Sequence, residues 1–271
     1  MASKKNQDFF WEDIRLPPGH EGRAWEFSFP WRDMKTPHRH DLYEANLITT
    51  GRGAYLIEGR RVELLPGTLI WLRPNQAHQL LKVNHQFSMD IWLFEDSLMR
   101  RFLQENHPLF QAQTEEIQLT QLSHERSQWL SRLKSSLDSD ASPHLVNTVV
   151  SFAFLEFIRE DVTPHCGDRK VSSSLKKALD LLHQKDHSLG SLSLQVDCHP
   201  TWLSRQFKNQ LGISLTDYRQ DLKLQKFIDL RRENPNRTLI SVALDAGFGS
   251  YAQFHRVFKK STGKVPRAFF P

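Results

Sequence analysis

Between residues 24 and 94 the apolar residues come in short runs. The runs are cut by Gly51, Gly53, Gly59, Pro66, Gly67 and Pro74. β-prone runs at that spacing predict an antiparallel sandwich or barrel. "YLIEGRRVEL" reads as a hairpin turning near Glu58 and Gly59. From residue 95 the period changes. "DSLMRRFLQEN" and "SHERSQWLSRLKSSL" place apolar residues three and four apart, the helical spacing, and Ser123 is positioned to cap the second. A third helix, 143–160, carries Leu145, Val149, Val150, Phe152, Phe154, Leu155, Phe157 and Ile158 around more than one face. It is expected to pack on the sheet and on something further, either its own core or a second chain.

Residues 161–174, "DVTPHCGDRKVSSS", read as a linker. The domain limits that follow are 1–165, a linker at 166–174, and an all-helical domain at 175–271. That last part contains an internal repeat. "LSRQFKNQLG" (203–212) and "FHRVFKKSTG" (254–263) align at an offset of 51, matching Arg205 to Arg256, Phe207 to Phe258, Lys208 to Lys259 and Gly212 to Gly263.

Each copy has the plan of a helix-turn-helix. In the first, Leu192 and Val196 back a short helix and Pro200 takes the first position of the next. Leu203, Phe207 and Leu211 then form one stripe, with Thr201, Ser204, Arg205 and Lys208 opposite. In the second, Ile240, Ala243 and Leu244 are expected to back a helix that Gly247 ends. Ser250 caps the next, Phe254 and Phe258 face in, and Tyr251, Gln253, Arg256, Lys259 and Lys260 lie outside. The connecting segment 214–234 reads as one helix stopped by Pro235. A helix of about 18 residues spans ~27 Å, close to the ~34 Å between successive major grooves on one face of B-DNA.

Charge sharpens this division. Residues 170–271 hold 17 Lys and Arg against 8 Asp and Glu, a net of +9, and the remainder of the chain nets −4. A basic helical third on a mildly acidic body suggests an anionic partner for that third alone, and charge by itself leaves nucleic acid and a merely solvated helix face both open. The start of the chain has no apolar segment followed by a small-residue cleavage site, and no stretch reaches the ~20 apolar residues of a membrane span. Cys166 and Cys198 form no paired motif and fit a reducing cytoplasm.

Residues 175–271 resemble the DNA-binding domain of AraC/XylS-type transcription regulators. The second copy carries the resemblance most fully, through Ala243 to Phe248 and Phe254 to Pro266. The first departs from the pattern, with Ser193 at the usual small residue and Asp197 where the turn glycine stands. The resemblance implies that Thr201, Ser204 and Arg205 face one groove and Tyr251, Gln253 and Arg256 the next. Arg205 can pair bidentately with guanine.

A second constellation lies in the strand-rich half. His38, His40 and Glu44 are all even-numbered, so in an extended chain they share one face, and His78 follows from a later strand or loop. Imidazoles with a carboxylate suit Mn, Fe, Ni or Zn. His38 to Gly51 resembles the first cupin motif and Pro74 to His78 the second. The combined resemblance implies a mixed fold: an N-terminal antiparallel, cupin-like β-barrel with flanking helices, and a C-terminal all-α domain with two helix-turn-helix motifs joined by a long helix. It further implies a non-enzymatic regulator, an activator working with RNA polymerase on promoter DNA. Its effector would be a carbohydrate or related metabolite, bound in the barrel by His38, His40, Glu44, His78, Trp31 and Trp71, with Trp25 and Trp92 as further aromatic candidates. The helices within 123–160 are expected to support a homodimer. Two other readings stay open: a metal-sensing regulator, and a cupin metalloenzyme carrying a DNA-binding domain.

Overall fold

The computed structural model describes residues 10–11, 13–28, 37–83, 86–111, 116–138, 140–159, 163–165 and 171–270. Strands β1 (Phe10–Trp11), β2 (Gly22–Ser28), β3 (His38–Arg39), β4 (Tyr43–Thr50), β5 (Gly53–Ile57), β6 (Arg60–Leu64), β7 (Thr68–Leu72), β8 (His78–Val83) and β9 (Ser88–Phe94) come first. Helices α1 (Asp96–Phe102) and α2 (Pro108–Gln111), strand β10 (Ile117–Gln121), helices α3 (His124–Lys134) and α4 (Pro143–Phe157) and strand β11 (Thr163–His165) complete this half. Two sheets result, ordered β1-β3-β8-β5-β6 and β11-β10-β7-β4-β9-β2, antiparallel except where β1 meets β3. The expected hairpin turns at Glu58 and Gly59, both in the left-handed region at φ 44° and 75°. That is the conformation a two-residue turn needs to match the strand twist.

Both faces of the central strands are covered, which is why β5 and β7 read as nearly continuous apolar runs, while β4 buries Glu44 and Asn46 among its apolar residues. Ile48, Tyr55, Ile57, Ile70, Leu72 and Ile91 meet between the sheets. The outer face of the six-stranded sheet carries Leu69, Trp71, Trp92 and Phe94 against Val146, Val150, Phe154 and Phe157 of α4. Ala45 pairs with Trp71 on one side and Trp92 on the other, and the Phe157 ring lies edge-on to both indoles at 6.0 and 5.5 Å. Ser123 and Ser142 cap α3 and α4 by accepting from Arg126 N and Leu145 N. Leu145, Phe152 and Leu155 of α4 remain exposed.

The helical half contains α5 (Ser173–Gln184), α6 (Leu189–Gln195), α7 (Pro200–Leu211), α8 (Leu215–Glu233), α9 (Leu239–Asp245), α10 (Tyr251–Thr262) and α11 (Pro266–Phe269). Helices α6 and α7 form the first helix-turn-helix, α9 and α10 the second, and the 19-residue α8 joins them. The first turn places Asp197 at φ 51°, where the second has Gly247 at φ 95°. A short polar side chain tolerates that region better than most. The second unit buries Val242 and Ala243, while Ile240 and Leu244 are about half exposed. Those two were expected to back the helix. An α9 of only two turns is covered along a narrow strip, and the strip falls on 242 and 243.

The second unit has its own core of Leu224, Phe227, Phe248, Phe254 and Phe258. The first shares one with the barrel: Ala54, Leu56 and Leu81, on the outer face of the five-stranded sheet, pack with Leu175, Leu179, Leu203, Phe207 and Tyr218. Of the expected linker, 166–170 lies outside the described residues. Its remainder is built into this boundary, with Val171 N donating to Gly59 O at 2.8 Å and Ser172 capping α5. Tyr218 Oη donates to Gln79 Oε1 at 3.1 Å and lies 2.7 Å from His183 Nε2. The phenol has a single proton and gives it to Gln79, so His183 donates in turn.

Burial pushes the His183 imidazole down from 6.5 to about 4. The unfolded chain therefore takes up this proton first. The stabilisation is complete above pH 6.5 and is lost as pH falls from 6.5 towards 4. The parent is expected to lose about 2–3 kcal/mol across that window from this residue. His183→Gln, followed by urea unfolding at several pH values, should flatten that part of the profile.

Candidate functional site

The even-numbered face holds in three dimensions. His38 lies on β3 and His78 opposite it on β8, as direct cross-strand partners. Glu44 enters from β4, and His40 from the short connection between β3 and β4. All four are between 2% and 4% exposed, so the cluster sits at one end of the space between the sheets. The ring centroids of His38 and His78 are 4.1 Å apart, and those of His40 and His78 5.2 Å apart.

The hydrogen bonds fix how the rings present themselves. His78 Nδ1 lies 2.9 Å from Gln76 O and His40 Nδ1 lies 3.0 Å from Leu42 O. A carbonyl oxygen only accepts, so both Nδ1 atoms carry hydrogen and each Nε2 is turned into the cluster. His40 Nε2 then meets Glu44 Oε2 at 2.8 Å, and His78 Nε2 lies 3.9 Å from the same oxygen. Two lone pairs face each other across the shorter contact unless a proton or a cation lies between them. Imidazoles whose far nitrogens donate to backbone carbonyls have the support that metal-binding histidines use.

One ligand atom from each of His38, His40 and His78 falls within 4.8 Å of the others. At zinc–nitrogen bond lengths two ligands of a tetrahedral site are ~3.4 Å apart, so the rings need to draw in by up to about 1.4 Å to hold one. The donor set, three imidazoles and a carboxylate, fits a divalent metal of the Mn, Fe, Ni or Zn type. The same groups can also hydrogen-bond the hydroxyls of an organic ligand.

Asn46 and Tyr55 surround Glu44. Asn46 Nδ2 donates to Glu44 Oε1 at 2.7 Å and to Tyr55 Oη at 2.9 Å. Burial, reinforced by the Glu44 charge, holds the Tyr55 phenol well above its ordinary range, so it remains neutral. Neither residue was singled out from the sequence. The signal for Asn46 was available, because it stands two residues beyond Glu44 on the same strand.

The indoles are distributed differently from the expectation. Trp71 points out of the opposite face of β7, into the core beneath α4, and Trp92 does the same from β9. Alternation dictates this, since Leu72 faces the interior and its neighbour cannot. Trp25 packs at the edge of the interior. Trp31 lies outside the described residues.

The second candidate surface is the outer side of α7 and α10. His199, through its ring, caps α7, and Ser250 caps α10. Both helices end on a left-handed glycine, Gly212 and Gly263. Thr201, Arg205 and Lys208 are exposed on α7 with Ser204 half-buried beside them, and Arg256 and Lys259 are exposed on α10. Among the described residues Arg205, Lys208, Arg256 and Lys259 form no ion pair. Lys260, by contrast, binds Asp217 at 2.7 Å. Gln253 is partly committed, its Oε1 accepting from Gly249 N at 2.9 Å, and Tyr251 rests against Phe254. Free cations on two exposed recognition-type helices suit phosphate and base-edge contacts.

Comparison with known proteins gives two family matches: an AraC-like ligand binding domain over residues 19–150 and a helix-turn-helix domain over 192–270. The Arabinose operon regulatory protein of Escherichia coli is 30% identical over 115 residues, which is 42% of this chain and 39% of that protein. The chain thus aligns with less than half of that relative's length. The HTH-type transcriptional activator RhaR of Mannheimia succiniciproducens is 21% identical over 240 residues, 86% of each protein. The crystal structure of ToxT from Vibrio cholerae O395 covers 92% of this chain and 96% of its own, at 14% identity and a TM-score of 0.38. No described helix is long and apolar enough to cross a membrane.

Asn46 tests the integrity of the cluster. Asn46→Ala leaves Glu44 Oε1 and the Tyr55 hydroxyl each short of a buried partner, so the ligand-free protein should lose about 2–4 kcal/mol. Chemical unfolding followed by tryptophan fluorescence measures the loss.

Proposed function

Because the chain belongs to the AraC-type transcription regulators, with an AraC-like ligand binding domain ahead of a helix-turn-helix domain, we propose that it is a cytoplasmic activator governed by a ligand at His38, His40, Glu44 and His78. The observation that carries this reading is the cluster itself. Four polar side chains are buried together, with His40 and His78 anchored by their far nitrogens and both Nε2 atoms directed at Glu44. A buried set of donors and acceptors arranged around one point is what a ligand that joins them would require. The output needed from the barrel is a change of occupancy that favours one arrangement of the DNA-binding helices, and no turnover.

Two ligands are compatible with these groups. A divalent metal fits the donor set directly. A carbohydrate is supported by the relative that regulates an arabinose operon, and the activator reading by the RhaR relatives. On the structural side the metal is favoured, because His40 Nε2 and Glu44 Oε2 approach with no aromatic platform from Trp71 beside them. Promoter DNA lies along α7 and α10, with RNA polymerase as the further partner. A homodimer through α4 is consistent with the exposure of Leu145, Phe152 and Leu155.

The test is DNA binding to the chain's own upstream region in the presence of Mn, Fe, Ni or Zn ions, and separately of a sugar panel. A change in affinity with one metal, absent in His40→Ala/His78→Ala, supports the metal reading. A response to a sugar alone replaces it with the carbohydrate effector, and no response to either sinks the ligand-governed reading. In the same assay Arg205→Ala should weaken specific binding by ~1–3 kcal/mol and relax one base position, whereas Lys208→Ala should weaken all sequences alike and lower the salt dependence by about one phosphate contact. Unchanged specificity in Arg205→Ala would remove it from base reading.

A further inference from the structure

His78 belongs to two surfaces at once. Its ring joins the buried cluster, and it also lines a narrow crevice of about 30 Å³, room for about one water, where the barrel meets the helical domain. On the barrel side that crevice is walled by Leu56, Ala77 and Gln79, and on the other by Leu179, Asp180 and His183 of α5. His78 is thus the residue that the crevice and the cluster share. The next residue along β8, Gln79, points to the opposite face of the strand and accepts the Tyr218 hydroxyl at 3.1 Å, with His183 Nε2 behind it at 2.7 Å. Strand geometry couples the two positions, since His78 cannot shift its backbone without moving Gln79. The surrounding contact is apolar, with Leu56 and Leu81 against Leu175 and Leu179. It is extended by Arg61 Nε, which donates to Leu211 O at 3.2 Å at the end of α7.

We propose that helix α5 of the DNA-binding half is the lid of the barrel site: a ligand reaches His78 through the domain boundary, and its passage is felt at the Gln79–Tyr218 contact. This inference rests on reading the cluster as the ligand site. It makes the helical domain part of the entrance to the site as well as the recipient of its signal. Opening the lid means parting Leu179 from Leu56 and breaking a hydroxyl–amide hydrogen bond, a local opening well short of unfolding.

Diethyl pyrocarbonate acylates the free imidazole nitrogen, so its rate at His78 in the full-length chain reads access directly. Exposed His144, distant on α4, serves as the internal standard by peptide mass mapping at fixed pH. Leu179→Ala combined with Tyr218→Phe should raise the His78-to-His144 rate ratio at least about threefold. A ratio equal to the parent's overturns the proposal. If the double variant loses its far-UV circular dichroism, Tyr218→Phe alone decides, because it removes one hydroxyl and keeps the ring; the expected rise is then smaller but still above the parent. Zn ions added to the parent separate this inference from the one beneath it. Protection of His78 by Zn supports the metal site. An unaltered rate removes the metal and leaves the ratio between variant and parent to judge the lid.

Discussion

A residue in a β-strand can turn its side chain to only one of two faces, and the working parts of this protein are assigned by that alternation. On β8, His78 and Leu80 turn inward while Gln79 and Leu81 turn out towards the helical domain. On β7, Leu72 lines the interior and Trp71 fills the core under α4. Because helices cover the outer face of each sheet, both sets are buried, and the same strands hold a polar cluster on one side and a hydrophobic docking surface on the other. A register slip of one residue would exchange the two. That constraint ties the position of the cluster to the position of the DNA-binding half more firmly than any single contact does.

The polar cluster opposes the apolar core around it. A carboxylate and three imidazoles removed from water destabilise a fold unless each finds a partner. Here Glu44 is held from one side by Asn46 and from the other by His40, and the histidines anchor their far nitrogens on Gln76 O and Leu42 O. A packed interior of aliphatic residues would serve the barrel equally well as structure. A fully buried, mutually oriented set of donors is the arrangement on which the proposed ligand site rests.

Much of this was readable in advance where a local rule governs the outcome. Period-two spacing placed His38, His40 and Glu44 together. Period-four spacing placed Leu203, Phe207 and Leu211, and turn and cap chemistry placed Glu58-Gly59, Ser123 and Ser250. The rules failed where distant packing decides. An aromatic residue near the histidines would suit a sugar face, yet the odd position of Trp71 on β7 turns it the other way. Ile240 and Leu244 fit a helical stripe, but nothing among the described residues covers the rim of a two-turn α9. The Gln79–Tyr218 contact joins residues 139 apart and left no trace in composition or spacing. Asn46 is the instructive omission, since the parity that selected Glu44 also selects it.

The two helix-turn-helix units differ in their attachment. The first shares a core with the barrel, and the second is built around Phe227, Phe254 and Phe258, meets the barrel through Phe27 of β2, and is joined to the first by the continuous helix α8 and by the Lys260–Asp217 bridge. An uninterrupted helix of 19 residues is a ruler of ~28 Å that also fixes rotation about its own axis. A DNA site read by both units must then keep its two halves at one helical phase. A single base pair added between them displaces the outer half by ~3.4 Å and turns it ~35° around the duplex, a mismatch a rigid α8 cannot follow. Spacing in the operator is thus a property written into the length of one helix.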